Sequence, residues 1–187
     1  MEIKRQIMHI ITKIKCIRNN ITMGKIVQIS PSSKISNRGK FKIGNNVCVH
    51  SDSRFEIRSG GDLEIGDNCD FNVQNRIEVS TRVIIGSNVI TGPWVYISDA
   101  NHCYEDITHP IKDQGFVSKG PLVIKDNCWI GAHSTIVGNI TIGKGCVIGA
   151  NSVVVKDVPN YSVVAGAPAK ILKQYNKETG KWEVCKK

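Results

Sequence analysis

From Ile124 onward an aliphatic residue returns at every sixth position: Ile124, Ile130, Ile136, Ile142, Ile148 and Val154. Four residues after each of the first five stand Cys128, Ser134, Ile140, Cys146 and Ser152, mostly small. Turn formers fill the intervals, among them Asp126-Asn127, Gly131, Gly138-Asn139, Gly143, Gly145, Gly149 and Asn151. A helix repeats its apolar stripe every three to four residues and a strand every two. A strict period of six predicts short strands joined by tight corners and wound into a solenoid, with one aliphatic and one small side chain inward per hexapeptide. Asn and Gly suit such corners because they accept positive φ cheaply.

The same rhythm is visible earlier, as Ile43, Val49 and Phe55, then Ile65, Phe71 and Ile77, then Ile85, Thr91 and Ile97. Its restarts lie more than eighteen residues apart, so these coils are expected to carry extra residues at one corner. Lys25 to Ser36, with Pro31, reads as an irregular first coil. Between Ser98 and Lys119 the rhythm stops, and this polar stretch holds His102, Tyr104, His109-Pro110 and Gly115. A loop of that length inside a compact repeat is usually functional. Met1 to Arg18 carries Ile3, Ile7, Ile10, Ile11, Ile14 and Ile17 at helical spacing, with Lys4, Arg5, Lys13, Lys15 and Arg18 on other faces. Such a helix either docks on the first coil or a neighbouring subunit, or lies on a membrane surface. The predicted organisation is an amphipathic helix over 1–20, a solenoid over 21–170 with the loop 98–119 inserted, and a tail over 171–187. Within that tail, Asn176 to Lys187 reads as mobile, with one Trp182.

Composition narrows the picture. A 187-residue chain with 41% hydrophobic but only 6% aromatic residues fits one domain with a narrow aliphatic core. No stretch resembles a membrane-spanning helix or a signal peptide. The seven cysteines form no C-x-x-C pair, and Cys128 and Cys146 are three hexapeptides apart, stacked in the core of successive coils. That pattern predicts reduced thiols and a cytoplasmic protein, with the inner membrane face as an option if the helix lies on lipid. The formal net charge is +9, and lysines crowd both ends, including Lys170, Lys173, Lys177, Lys181, Lys186 and Lys187. No nucleic-acid-binding motif accompanies this charge and the aromatics are not interleaved with it, so nucleic acid is not the expected partner. A phosphate-rich cofactor or an anionic surface would use the same charge.

Three segments are more specific than the repeat: Ile124-Lys-Asp-Asn-Cys-Trp-Ile-Gly-Ala132, Asn151-Ser-Val-Val-Val-Lys-Asp-Val-Pro159 and Val164-Ala-Gly-Ala-Pro-Ala-Lys170. With the loop, they resemble the hexapeptide-repeat acyltransferases of the branch holding galactoside, maltose and xenobiotic acetyltransferases. The resemblance covers Ile43 to Lys173. It implies a left-handed parallel β-helix, a homotrimer with active sites between subunits, acetyl-CoA as co-substrate and no metal requirement. It further implies a histidine base that deprotonates an acceptor hydroxyl for direct attack on the thioester. Ser98-Asp-Ala-Asn-His102 stands where the family places that histidine, and imidazole is suited to accept a proton near neutral pH. His109, in His109-Pro110, is the rival, and Asp99, Glu105 and Asp106 are candidates to orient the ring.

By the same resemblance the Ala132 N–H would steady the oxyanion. Trp129 would lie near the acyl and pantetheine end unless it is a core residue. Ala150, Lys156, Pro168 and Lys170 match positions lining pantetheine or the adenine phosphates. Asn72 matches an acceptor-binding position, whereas Ser80 stands where galactoside-type relatives carry an Asp, so a different acceptor is expected. His133 is expected to point outward from a corner, and His9 and His50 have no context suggesting chemistry. The implied activity is acetyl transfer to a sugar hydroxyl of a bacterial surface polysaccharide or its precursor. Antibiotic acetylation and a catalytically silent solenoid are the alternatives. A carbonic-anhydrase-like member would need two of its three zinc histidines five residues apart, and no histidine pair here has that spacing.

Overall fold

The computed structural model describes residues 2–185, with side chains from residue 6 onward. Met1, Lys186, Lys187 and the side chains of Ile3, Lys4 and Arg5 therefore lie outside the described residues. The period of six becomes a left-handed parallel β-helix with three flat faces. The first and third faces each have six strands; the second has nine.

Register explains the period. On the first face Ile43, Ile65, Ile85, Ile124 and Ile142 stand opposite one another in successive strands. The second face aligns Val49, Phe71, Thr91, Ile130 and Ile148. On the third are Phe55, Ile77, Ile97, Ile136 and Val154. Every residue in these columns is buried. Burying one such aliphatic side chain contributes about 1.5–3 kcal/mol, so continuous columns dominate the stabilisation. Phe41, Phe55 and Phe71 meet edge to face in the wider early coils, with centroids 5.8 and 5.7 Å apart.

Corners follow the same accounting. At the first corner Asn46, Asn68, Asn88 and Asn127 all adopt positive φ. At the second the positive-φ residues are Asp52, Gln74, Trp94, His133 and Asn151. Trp94 and His133 are costly choices there. Their N–H groups bond to Val73 and Pro93 carbonyls, at 3.1 and 2.9 Å, and their rings stack at 5.9 Å. The third corner takes the extra residues that lengthen the early coils, and the loop is inserted at this same corner.

All seven cysteines are free. Cys69, Cys128 and Cys146 are buried, and their thiols donate to the carbonyls of Gly86, Gly143 and Pro159 at 3.0–3.1 Å. Burial pushes the Cys69 thiol up to about 11, so it is a core group and no nucleophile.

Two expectations need correction, and a third is met through a different helix face. The first coil is regular: Ile21–Met23, Gln28–Ile29 and Lys34–Asn37 each pair with the coil above. Residues Asn176 to Val184 are no loose tail, because Ala169–Asn176 pairs antiparallel with both Ser162–Gly166 and Lys181–Val184. Trp182 packs edge-on against Tyr175 at 5.6 Å. The tail's few core residues gave no rhythm to read; its order comes from continuing the second face beyond the last coil. The helix Glu2–Arg18 docks on the first coil, but not through its isoleucines. Thr12 and Cys16 are buried, whereas Ile7, Ile10, Ile14 and Ile17 are exposed. Thr12 Oγ1 accepts the Ile29 N–H at 2.9 Å, and Lys15 Nζ donates to the carbonyls of Ser30, Pro31 and Ser33. The first coil presents unpaired backbone groups as a sheet edge does, and only polar side chains can satisfy them.

The close stacking of corners yields a direct expectation. A Cβ on Gly131 would lie 2.6 Å from the Ala150 amide nitrogen and 2.7 Å from the Ile148 carbonyl oxygen. Both are backbone atoms, which cannot yield without opening the ladder. Gly131→Ala should therefore destabilise the fold by about 1–3 kcal/mol, measured by chemical denaturation.

Candidate active site

The inserted loop is built around a short antiparallel pair, Asn101–His102 with Phe116–Val117. Its two ends are pinned to the solenoid. At its start the buried Asp99 carboxylate accepts N–H bonds from Ser80, Thr81 and Arg82 at 2.7–2.8 Å. At its return, Asn139 accepts the Lys119 N–H at 2.6 Å and donates to Ser118 Oγ, the Asp99 carbonyl and the Gly120 carbonyl. A polar loop that buries little apolar surface gets its order from these charge-assisted and amide bonds.

His102 stands exposed on this hairpin, its ring 4.3 Å from that of Phe116. Arg58, just past the third-face strand Arg54–Ile57 two coils earlier, holds its guanidinium 3.8 Å from the centroid of the same Phe116 ring. The imidazole is thus backed by an aromatic ring and a cation. No side chain among the described residues hydrogen-bonds His102. Asp99 cannot orient it, because its carboxylate is occupied by the corner amides. Asp106 is committed to the rival histidine, with its Oδ2 2.9 Å from His109 Nδ1. Hydrogen bonds from the Thr108 hydroxyl and N–H, then from His109, hold the Asp106 carboxyl below the usual range. Asp99 and Glu105 both line the groove that holds His102, described next, whereas Asp106 does not.

A groove of about 500 Å³ is lined by His102, Asn101, Tyr104, Glu105, Lys119 and Val155 among others, and His109 is not part of its wall. Val155 also borders a second cleft of about 160 Å³, whose walls include Lys156, Pro168 and Lys170. The two depressions therefore adjoin, and the C-terminal Ala-Pro-Ala-Lys segment meets the histidine loop across one side chain.

The remaining sequence candidates lie elsewhere in one chain. Ala132 and Ala150 stand above one another at the second corner, where the Asn151 N–H bonds to the Ala132 carbonyl at 2.9 Å. The Ala132 N–H itself makes no bond among the described residues, so it remains free to donate. Asn72 belongs to this corner, but its Oδ1 accepts the Val73 N–H at 2.7 Å. Trp129 is no core residue: it projects from the second face and is 53% exposed. Ser80 sits at the third corner beneath Asp99. His133 points outward, as its corner position requires. Sequence reasoning missed Phe116, Arg58 and Asn139. Phe116 and Arg58 carry no local signal. Asn139 follows Gly138 at a corner and reads as one more turn residue.

A family model described as bacterial transferase hexapeptide (six repeats) matches residues 121–156. WbbJ of Escherichia coli (strain K12), named for an O-acetyl transferase role in lipopolysaccharide biosynthesis, is 33% identical over 155 residues. That match covers 80% of this chain and 79% of WbbJ. The chain belongs to the hexapeptide-repeat acyltransferases. A Mycobacterium tuberculosis protein named for an acetyltransferase role, Rv3034c, is 37% identical over 88% of this chain, which spans 52% of that longer protein. Among solved structures, a galactoside acetyltransferase in complex with coenzyme A superposes with a TM-score of 0.60 at 28% identity. That superposition covers 87% of this family member and 69% of the galactoside enzyme.

The anchoring of the loop can be measured. Asp99→Asn keeps the shape but turns an acceptor oxygen into a donor facing backbone donors. Each stranded N–H costs about 1–3 kcal/mol, so the variant should unfold at lower denaturant. Amide exchange over residues 99–119 should accelerate more than exchange in the coils.

Proposed function

We propose that this chain is an acetyl-CoA-dependent O-acetyltransferase that passes acetyl directly to a sugar hydroxyl, with His102 as the general base. The observation that carries the proposal is the adjoining pair of depressions, one holding His102 and the other holding Lys156, Pro168 and Lys170. The donor side fits acetyl-CoA chemically. Two lysines can meet phosphates as point charges, while Val155 and Pro168 offer apolar surface to the pantetheine arm. Similarity to WbbJ supports a surface polysaccharide or its precursor as acceptor.

In the reaction, a nitrogen of His102 takes the proton from the acceptor hydroxyl as its oxygen attacks the thioester carbonyl. The tetrahedral oxyanion is steadied by a backbone N–H, and the free Ala132 N–H has the right chemistry. Collapse breaks the carbon–sulfur bond, and the imidazolium returns its proton to the departing thiolate. Ala132, Ala150 and Asn72 stand at the second corner and His102 at the third, so one chain does not assemble all of these groups. A homotrimer, in which one subunit's second corner faces its neighbour's histidine loop, would reunite them.

His102→Ala should lower turnover by about 10²–10⁴-fold, as loss of a general base does. His109→Ala should cost far less, since its ring is tied to Asp106 and Thr108 outside the groove. Both are compared by thiol release at saturating acetyl-CoA with one sugar acceptor. An inactive His109→Ala beside an active His102→Ala would move the base to the other histidine. Coenzyme A should also bind more tightly than its 3′-dephospho form, an advantage shrinking with added salt and in Lys156→Ala or Lys170→Ala. Calorimetry at two ionic strengths measures it.

A further inference from the structure

The coil length of the early solenoid places three metal-binding side chains in one cluster outside the groove. Cys48 and Asp70 are register partners on adjacent strands of the second face. Both point outward, because their inward neighbours Val49 and Phe71 fill the core. His50 follows Val49 at the strand end and projects to the same side. Cys48 Sγ lies 3.6 Å from His50 Nε2, and His50 Nε2 lies 3.2 Å from Asp70 Oδ1. All three donor atoms are within 4.8 Å of one another, and no other trio of this kind occurs among the described residues.

These separations can be compared with the edges of a coordination tetrahedron. With metal–sulfur at about 2.3 Å and metal–nitrogen and metal–oxygen at about 2.0–2.1 Å, the sulfur–nitrogen edge is about 3.6 Å and the nitrogen–oxygen edge about 3.3 Å. Both recorded separations fall within about 0.1 Å of those edges. The backbone beneath is fixed by ladder bonds, from Cys48 N to the Cys69 carbonyl, His50 N to the Phe71 carbonyl and Asp70 N to the Val89 carbonyl, at 2.9–3.0 Å. Ser33 Oγ further donates to the His50 carbonyl at 2.7 Å. The coils therefore hold the three donors close together, with the remaining sulfur–oxygen separation within 4.8 Å.

We propose that Cys48, His50 and Asp70 form a binding site for a divalent cation of borderline softness, of which Zn(II) is the type. One thiolate, one imidazole and one carboxylate match that preference, and water completes the fourth position. Uptake replaces the Cys48 S–H bond by a sulfur–metal bond and releases the proton to solvent, with no change of oxidation state. The site is separate from the histidine loop at the third corner. It shares its face with Trp129, whose strand lies two strands beyond that of Asp70.

The test titrates the full-length protein, freed of metal and kept reduced, with Co(II). One ion per chain should bind, producing the thiolate-to-cobalt charge-transfer absorption and the intense visible bands of a tetrahedral ion, and Zn(II) should abolish both. Cys48→Ser should remove the charge-transfer band. His50→Ala and Asp70→Asn should each weaken binding by more than the ~10–100-fold that loss of an outer-shell partner costs. Far-UV circular dichroism establishes that each variant is folded, and the exposed His50 supplies a readout if Cys48→Ser is not. Cys103→Ser should leave the titration unchanged. The proposal is overturned if the wild type shows no charge-transfer band. It is equally overturned if that band persists undiminished in folded Cys48→Ser, since another thiol would then hold the ion.

Discussion

Everything in this structure depends on each coil satisfying the backbone of the next. A strand of two to four residues has no stability alone, and an isolated turn of this solenoid would leave its N–H and C=O groups unpaired along both edges. Stacking removes that cost and aligns identical side-chain positions into buried columns. The glycines at the second corner belong to the same constraint, because the coils pass too closely there for a Cβ. So do both ends. Polar groups of the N-terminal helix close the first coil, and an antiparallel hairpin continues the last face. The exposed isoleucines of the helix are left over because the edge demanded Thr12 and Lys15 instead.

Rigidity of the coils lets a polar loop be ordered. The loop has little core of its own, yet Asp99 and Asn139 fasten its two ends to corners that cannot move independently. Between those points the His102 ring leans on Phe116, which leans on Arg58 from a much earlier coil. The His102 ring is held by contact with an aromatic ring and not by a carboxylate, the reverse of the familiar histidine–acid arrangement. That arrangement does occur in the loop, on His109, which lies outside the groove. The histidine that carries the acid pair and the histidine that lines the groove are therefore different residues.

Two clusters of reactive side-chain types lie on one solenoid without overlapping. The third corner combines the loop with the C-terminal lysines, while the second face carries a thiol, an imidazole and a carboxylate in a row two coils long. The architecture permits this because each outward residue is held by its own strand and its neighbours differ little in height. Side chains brought together this way gain their geometry from the ladder, at little conformational cost to themselves.

The period of six in Ile124 to Val154 determined the fold by itself, because only stacked short strands turn that spacing into one continuous core. The break after Ile97 likewise located the loop, and with it His102. Contacts between coils were legible in the strict repeat, as for Cys128 and Cys146, but not in the longer early coils or at the loop. A coil of 22 residues sets Asp70 beside Cys48, and nothing in the spacing from one to the other marks them as partners. Arg58 and Phe116 meet across 58 positions for the same reason. Asp99 is one of three residues the sequence offers as a partner for the imidazole, and only the structure shows that the corner amides use its carboxylate. Periodicity is a property of one strand's two sides and survives in sequence. Height along the solenoid depends on how many residues each corner absorbs, and the tertiary structure alone decides that.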